Sequence, residues 1–409
     1  MAIKEGAKKT VLFGIIIAML VIIVVVFFVM ALKNPNISTN VDTSDILKIT
    51  NEGSFDLTGS YRGIRINTKG EVLLNLKDVE ITSSGIPAIY IENADKVSIV
   101  ASGENKITAT TTTDLDGAIY SKDKLEFLGD GSIEINSNFD GIVSKDVITI
   151  KNGTYNINAD STGIKGKDGV SVDNATLKIK SGGDGIKTTN DEDKTAGSIE
   201  IKAGKFDIEC VNDGISAINQ LLIQDGHFSI KTENESSKES SKGLKAGSLI
   251  EISNGMYGIQ STDDAIHSKG NVILNNGTYV IKTDNDGIYA DGLNEINEGT
   301  YVITASKGIR ATYAKLNNGM ITIDAKDDGI NASDKSEDYK PMVEINDGYV
   351  SIKMEQDNGN GISSNGEIYI NGGIVDINAK SPFKYDGKAW HNGGEITVNG
   401  ERVGEIAKE

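Results

Sequence analysis

The chain has 409 residues, with 46 Gly, 4 Pro, 3 His, 1 Cys, 1 Trp and a formal charge of −18. A single cysteine excludes a disulfide framework or a cysteine zinc cluster, and no pair of histidines has the H-E-x-x-H spacing of a zinc hydrolase. The acidic balance argues against nucleic acid, whose phosphates need a basic footprint.

In chain order the first element is an apolar run, Val11 to Leu32, with Lys4, Lys8 and Lys9 before it. Its 22 uncharged residues are long enough as a helix to cross a bilayer core of about 30 Å. The flanking lysines place residues 1–10 in the cytoplasm and the rest of the chain outside. A cleaved signal peptide is the alternative. The expectation is a single-pass cell-membrane protein with 11–32 as anchor, 33–45 as polar linker and 46–409 as one extracellular domain.

From there the chain repeats itself. Asp-Gly-Ile or a close variant recurs at Asp140, Thr162, Asp184, Asp213, Lys242, Asp264, Asp286, Lys307, Asp328 and Asn360. The steps between copies are 22, 22, 29, 29, 22, 22, 21, 21 and 32 residues, a base period of 21 to 22 with three insertions. A second marker, Asn-Gly-Thr-Tyr or its variants, rides on the same period at Asn152, Asn254, Asn276 and Glu298. Between the markers apolar and polar residues alternate, which is the period of a strand. Three short strands per copy cannot bury their own apolar side, whereas stacked copies can. The predicted fold is therefore all-β, a right-handed parallel β-helix (a solenoid) of about 13 coils preceded by one N-terminal transmembrane helix. The Asn before each Gly is read as a left-handed turn residue whose side chains stack as a ladder. Tyr155, Tyr257, Tyr279 and Tyr301 are read as stacked wall residues. Phe383, Tyr385, Trp390 and His391 are read as a plug over the last coil, with Asn399-Gly400 turning a closing hairpin.

The residue after each Asp-Gly-Ile points outward. That column holds Tyr120, Lys165, Lys187, Lys245, His267, Tyr289 and Arg310, cations for carboxylated sugars and aromatic rings for sugar faces. Beside it runs an acidic column with Asp184, Asp213, Asp264, Asp286 and Asp328, doubled at Asp263 and Asp327. Stacked carboxylates about 5 Å apart repel. Calcium, which takes six to eight oxygen ligands, is the expected compensation. The insertion 188–197 adds Asn190, Asp191 and Asp193 as further candidate ligands, and with 232–241 and 333–342 it is expected to wall a cleft.

Taken together, Asp184-Gly185-Ile186-Lys187 with Asn190-Asp191-Glu192-Asp193, Lys242-Gly243-Leu244-Lys245, Asp263-Asp264-Ala265-Ile266-His267 and Asp327-Asp328-Gly329-Ile330-Asn331 resemble a family of bacterial cell-surface carbohydrate-binding β-helix proteins. That family is similar in fold to the pectate lyases. The resemblance covers about residues 46–405 and implies calcium sites and binding of polygalacturonate-like acid sugars and of cellulose. Two copies depart from it, with Tyr289 where the family often has His and Lys307 and Arg310 where it often has Glu.

The leading expectation is a monomeric, membrane-anchored polysaccharide-binding protein with a calcium-supported face. One alternative is a calcium-dependent lyase, with Arg310, Lys187 or Lys165 as the base, or a hydrolase. The other is a structural or adhesive rod.

Overall fold

A computed structural model describes residues 37–38, 46–112, 114–234, 240–355 and 359–407. All their regular structure is strand, 41 in all among the described residues, joined in one continuous sheet. Strands pair in parallel throughout the repeats, and among the strands of the described residues only Glu395–Val398 with Glu401–Val403 is antiparallel. The chain visits three faces in turn, and each strand pairs with the strand of the same face one copy later. On the first face the register runs Ile142↔Ile164↔Ile186↔Ile215↔Leu244↔Ile266↔Ile288↔Ile309↔Ile330↔Ile362.

Alternation explains the burial. In Thr278–Thr283 the side chains of Tyr279, Ile281 and Thr283 point in, and those of Thr278, Val280 and Lys282 point out. Parallel stacking in register puts isoleucine on isoleucine in adjacent rungs, and one apolar cluster runs from Leu47 to Ile406. Within it Phe206, Phe228, Tyr257, Tyr279 and Tyr301 stack face to face, with centroids 4.6–4.8 Å apart and planes within 6°. Each Tyr hydroxyl of this stack donates to the carbonyl three residues back, as Tyr279 does to Asn276 at 3.0 Å. Cys210 is also inside, and burial, helped by Asp184 and Asp213, pushes its thiol up to about 12.

The structure corrects several expectations. It is all-β, and the transmembrane helix expected ahead of the domain has no counterpart among the described residues. The number of copies was too low, since the first face carries fifteen rungs from Leu47 to Phe383 instead of about 13 coils. No helix of the described residues is long and apolar enough to cross a membrane, so the expected single-pass cell-membrane placement finds no span among them. Residues 1–32, on which that placement rested, lie outside the described residues. Part of the segment read as a linker is a strand, Ile37–Ser38, paired with Phe55 and Asp56.

The asparagine ladder exists one residue away from where the marker put it in most copies. Asn275, Asn297, Asn317, Asn346, Asn371 and Asn392 are joined amide to amide at 2.7–2.9 Å. The left-handed residue is the glycine itself, such as Gly277 at φ 129°, while the asparagine supplies the ladder. The glycine of Asp-Gly-Ile has a different cause. A Cβ on Gly287 would sit 2.5 Å from the Gly308 carbonyl oxygen, so the glycine lets adjacent rungs approach. At the C-terminal end the expected plug divides: Phe383 is core, Tyr385 packs against it, and Trp390 stacks outside on Tyr369 at 4.3 Å. The hairpin turns at Asn399 and Gly400, both at positive φ.

Candidate functional site

The outward column of the first face assembles as one row. Tyr90, Tyr120, Val143, Lys165, Lys187, Ser216, Lys245, His267, Tyr289, Arg310, Asn331, Ser363 and Lys384 are consecutive register partners. At its start the row is apolar. Tyr120 is 5% exposed and packs with Tyr90 and Val143 against Leu115, so its ring is covered. From Lys165 to Arg310 the row is polar and half-buried.

The acidic column lies beside it, and each of its members down to Asp328 has a polar partner. The Lys165 ammonium bridges Asp140 and Asp116, the latter at 2.6 Å. Lys187 pairs with Asp184 at 2.6 Å and Lys245 with Asp213 at 2.7 Å. His267 Nδ1 lies 2.7 Å from Asp264, and Arg310 reaches Asp286 at 3.2 Å. Lys242 holds Asp263 and Lys307 holds Asp327, with Asp328 3.1 Å from Lys307. Lys242 and Lys307 occupy the acidic column itself and were missed as site residues. Their signal was the substitution of Lys for Asp in Lys242-Gly243 and Lys307-Gly308.

These pairs set the electrostatics. Burial would raise the Asp213 carboxyl, but Lys245 outweighs it and the group is held low. Asp116 and Asp263 are held low in the same way by Lys165 and Lys242. Burial would lower Lys165, yet Asp140 and Asp116 outweigh it and push the ammonium up. Asp286 is the exception: burial and the neighbouring Asp264 push it up to about 6 against the pull of Arg310. One of its oxygens, Oδ1, is buried without a hydrogen-bond partner.

The aromatic members of the row face one another. His267 stacks on Tyr289 at 4.6 Å, and the Arg310 guanidinium lies over the other side of Tyr289 at 5.2 Å. The Tyr289 hydroxyl donates to Asp291 at 2.6 Å. Tyr289 is thus sandwiched and offers solvent its edge.

The insertions flank the row from two sides. Ser240 donates to Asp213 at 2.6 Å and accepts from Lys245 at 3.2 Å. On the other side Thr188 closes the loop 188–197 onto the Gly197 carbonyl at 2.6 Å. There Asn190 donates to Asp168 at 2.5 Å and its oxygen accepts from the Glu192 and Asp193 amides, while Asp193 accepts from Thr195. Asp191 is exposed. Asn190 and Asp193 therefore shape their own loop.

Among the described residues no three His, Cys, Asp or Glu side chains gather so as to hold a metal ion. Lysine and arginine side chains lie against most of the stacked carboxylates, and His267 Nδ1 lies against Asp264.

The family described as carbohydrate-binding domain-containing protein matches residues 43–287 and 280–404. The chain belongs to this family. A relative with the same description from Acetivibrio thermocellus is 30% identical over 122 residues, 26% of this chain and 43% of that protein. The chain thus spans less than half of that relative's length. A solved structure, the gadolinium derivative of a polysaccharide lyase-like protein from C. thermocellum, is 26% identical over 48% of this chain and 89% of that one, with a TM-score of 0.44. A score that low assigns no residue of this chain a role. Family membership agrees with the carbohydrate-binding expectation in its coarse form.

Proposed function

We propose that the chain holds a polysaccharide against the first face, hydrogen-bonding its hydroxyls to the heads of Lys165, Lys187, Lys245, His267, Tyr289 and Arg310. The observation that carries this is their register: they fall in one parallel column, with only Ser216 between them, at one rung per roughly 4.8 Å. The heads are already held by carboxylates, so little side-chain freedom is lost when a ligand arrives. A sugar hydroxyl both donates and accepts, and a fixed ammonium–carboxylate pair offers both counterparts.

The charges favour an uncharged chain over an acidic one. Lys165, Lys187, Lys242, Lys245, Lys307 and Arg310 stand against Asp116, Asp140, Asp184, Asp213, Asp263, Asp264, Asp286, Asp327 and Asp328. Carboxylates outnumber the permanent cations, so a polyanion meets net repulsion unless a further cation bridges it. Of the two ligand classes named by the resemblance, cellulose-like glucan fits this surface better than polygalacturonate. A lyase base is disfavoured at Lys165, whose ammonium is pushed up and pinned between two aspartates.

The test is a binding panel of soluble β-glucan and polygalacturonate oligomers, with calcium and with chelator, assayed also for new chain ends. The expected result is glucan binding that chelator leaves unchanged, with no new reducing or unsaturated ends. Calcium-dependent preference for polygalacturonate would replace this reading by the acidic-polymer one. New ends that disappear in Arg310→Ala would establish an enzyme.

A further inference from the structure

We infer that the third face carries a second docking surface, for the flat face of an uncharged polysaccharide. The inference rests on the carbohydrate-binding reading of the chain but on different residues. Met256, Val280, Val302, Met320, Tyr349 and Ile374 are 38–56% exposed, and they make up most of the large exposed apolar side chains among the described residues. They share one face of consecutive parallel strands. The register runs Met256↔Thr278↔Thr300↔Met320↔Tyr349↔Ile374, and beside it Gly258↔Val280↔Val302↔Thr322↔Ser351.

No charged residue interrupts these two rows, in a chain where 24% of residues are charged. Charge returns at both ends of the patch, with Lys205 and Asp207 before it and Asp376 and Glu395 after it, and along one side, with Lys282, Asp324 and Lys353 in the next outward row. The patch is therefore bounded and sits on an ordered, in-register sheet. A surface of this size and polarity on a chain this acidic marks an interaction site.

Its occupant follows from charge and shape. A second copy of the chain carries the same charge of −18, and approach of two such copies is repulsive. An uncharged glycan meets no such repulsion. The faces of sugar rings are apolar and their edges carry hydroxyls. The patch matches that alternation, with Val280, Val302 and Tyr349 for ring faces and Thr278, Thr300, Thr322 and Ser351 for hydroxyls. Gly258 leaves a gap in the second row, and a shallow groove of about 410 Å³ runs from there to the charged edge, lined by Lys205, Asp207, His227, Met256, Thr278 and Val280.

The test uses the full-length chain on microcrystalline cellulose with chelator present. Val280→Lys/Val302→Lys is retained at least about tenfold less than wild type, and Val280→Thr/Val302→Thr, which makes the two positions polar without adding charge, falls between them. Both positions are exposed, and an unchanged thermal unfolding curve verifies that each variant folds. Lys187→Ala/Lys245→Ala weakens soluble-oligomer binding more than retention on cellulose, and Val280→Lys/Val302→Lys does the reverse, which separates the two surfaces. Absence of wild-type retention, or equal retention of the lysine variant, overturns the inference. So does sedimentation showing a wild-type dimer that the lysine variant splits, because the patch would then join two copies.

Discussion

Tyr279→Ala lowers the stability of the folded chain by about 3–5 kcal/mol, read as a shift of the urea unfolding transition. Tyr279 has no solvent exposure and stacks between Tyr257 and Tyr301. Truncation empties one position of a continuous aromatic stack, and neighbouring rungs fixed by backbone pairing cannot collapse to fill it. Tyr279→Phe keeps the ring and loses only the bond to the Asn276 carbonyl, a loss of about 1 kcal/mol. Equal effects of the two variants would show that the hydroxyl, and not the stack, holds the wall.

Arg310→Ala is the second large effect, about 3–5 kcal/mol above pH 7, because it leaves the buried Asp286 carboxylate without its cation. Its pH dependence has a definite sign. Asp286 is pushed from an ordinary value of 3.8 up to about 6. Between those values the folded chain holds a proton that the unfolded chain has released, so this group makes stability fall as pH rises through the window. Removing Arg310 removes an attraction that holds the carboxyl down, and the fall then extends above pH 6. The variant should therefore lie closest to wild type near pH 5 and furthest from it near pH 8, in denaturant titrations at a series of pH values. A loss that does not change with pH would mean that Asp286 is not the group left exposed to the change.

Much of this architecture is legible in the sequence because its information is periodic. The 21- to 22-residue step from Asp264 to Asp328 fixes which residues share a column, and parallel pairing in register then places Lys245, His267, Tyr289 and Arg310 side by side. What periodicity did not convey is the direction in which a long side chain leans. Lys245 reaches back 32 residues to Asp213, and Arg310 reaches back 24 to Asp286, each pairing with the preceding rung. Reading the acidic column alone gives stacked carboxylates and a need for calcium. Reading it with the cation column gives side-chain pairs, within the rung for Lys187 and His267 and one rung back for Lys245 and Arg310. The exposure of Tyr120 was misjudged for a related reason: Leu115, which covers it, lies in an irregular stretch outside the repeat. The apolar patch of the third face was visible as alternation in Thr278-Tyr279-Val280 and Thr300-Tyr301-Val302. Alternation marks an apolar outward residue as a strand member and gives no hint that its neighbours form a patch.

The central claim is that the first-face row is where polysaccharide binds, and the most direct measurement is calorimetric titration of a soluble β-glucan oligomer into wild type and Lys187→Ala/Lys245→Ala. Each lysine supplies a charge-assisted hydrogen bond worth about 1.5–3 kcal/mol when shielded, and less where Lys187 is open to solvent. The account predicts about a hundredfold weaker binding by the double variant, with calcium and chelator giving the same isotherm. Unchanged affinity in the double variant would contradict it.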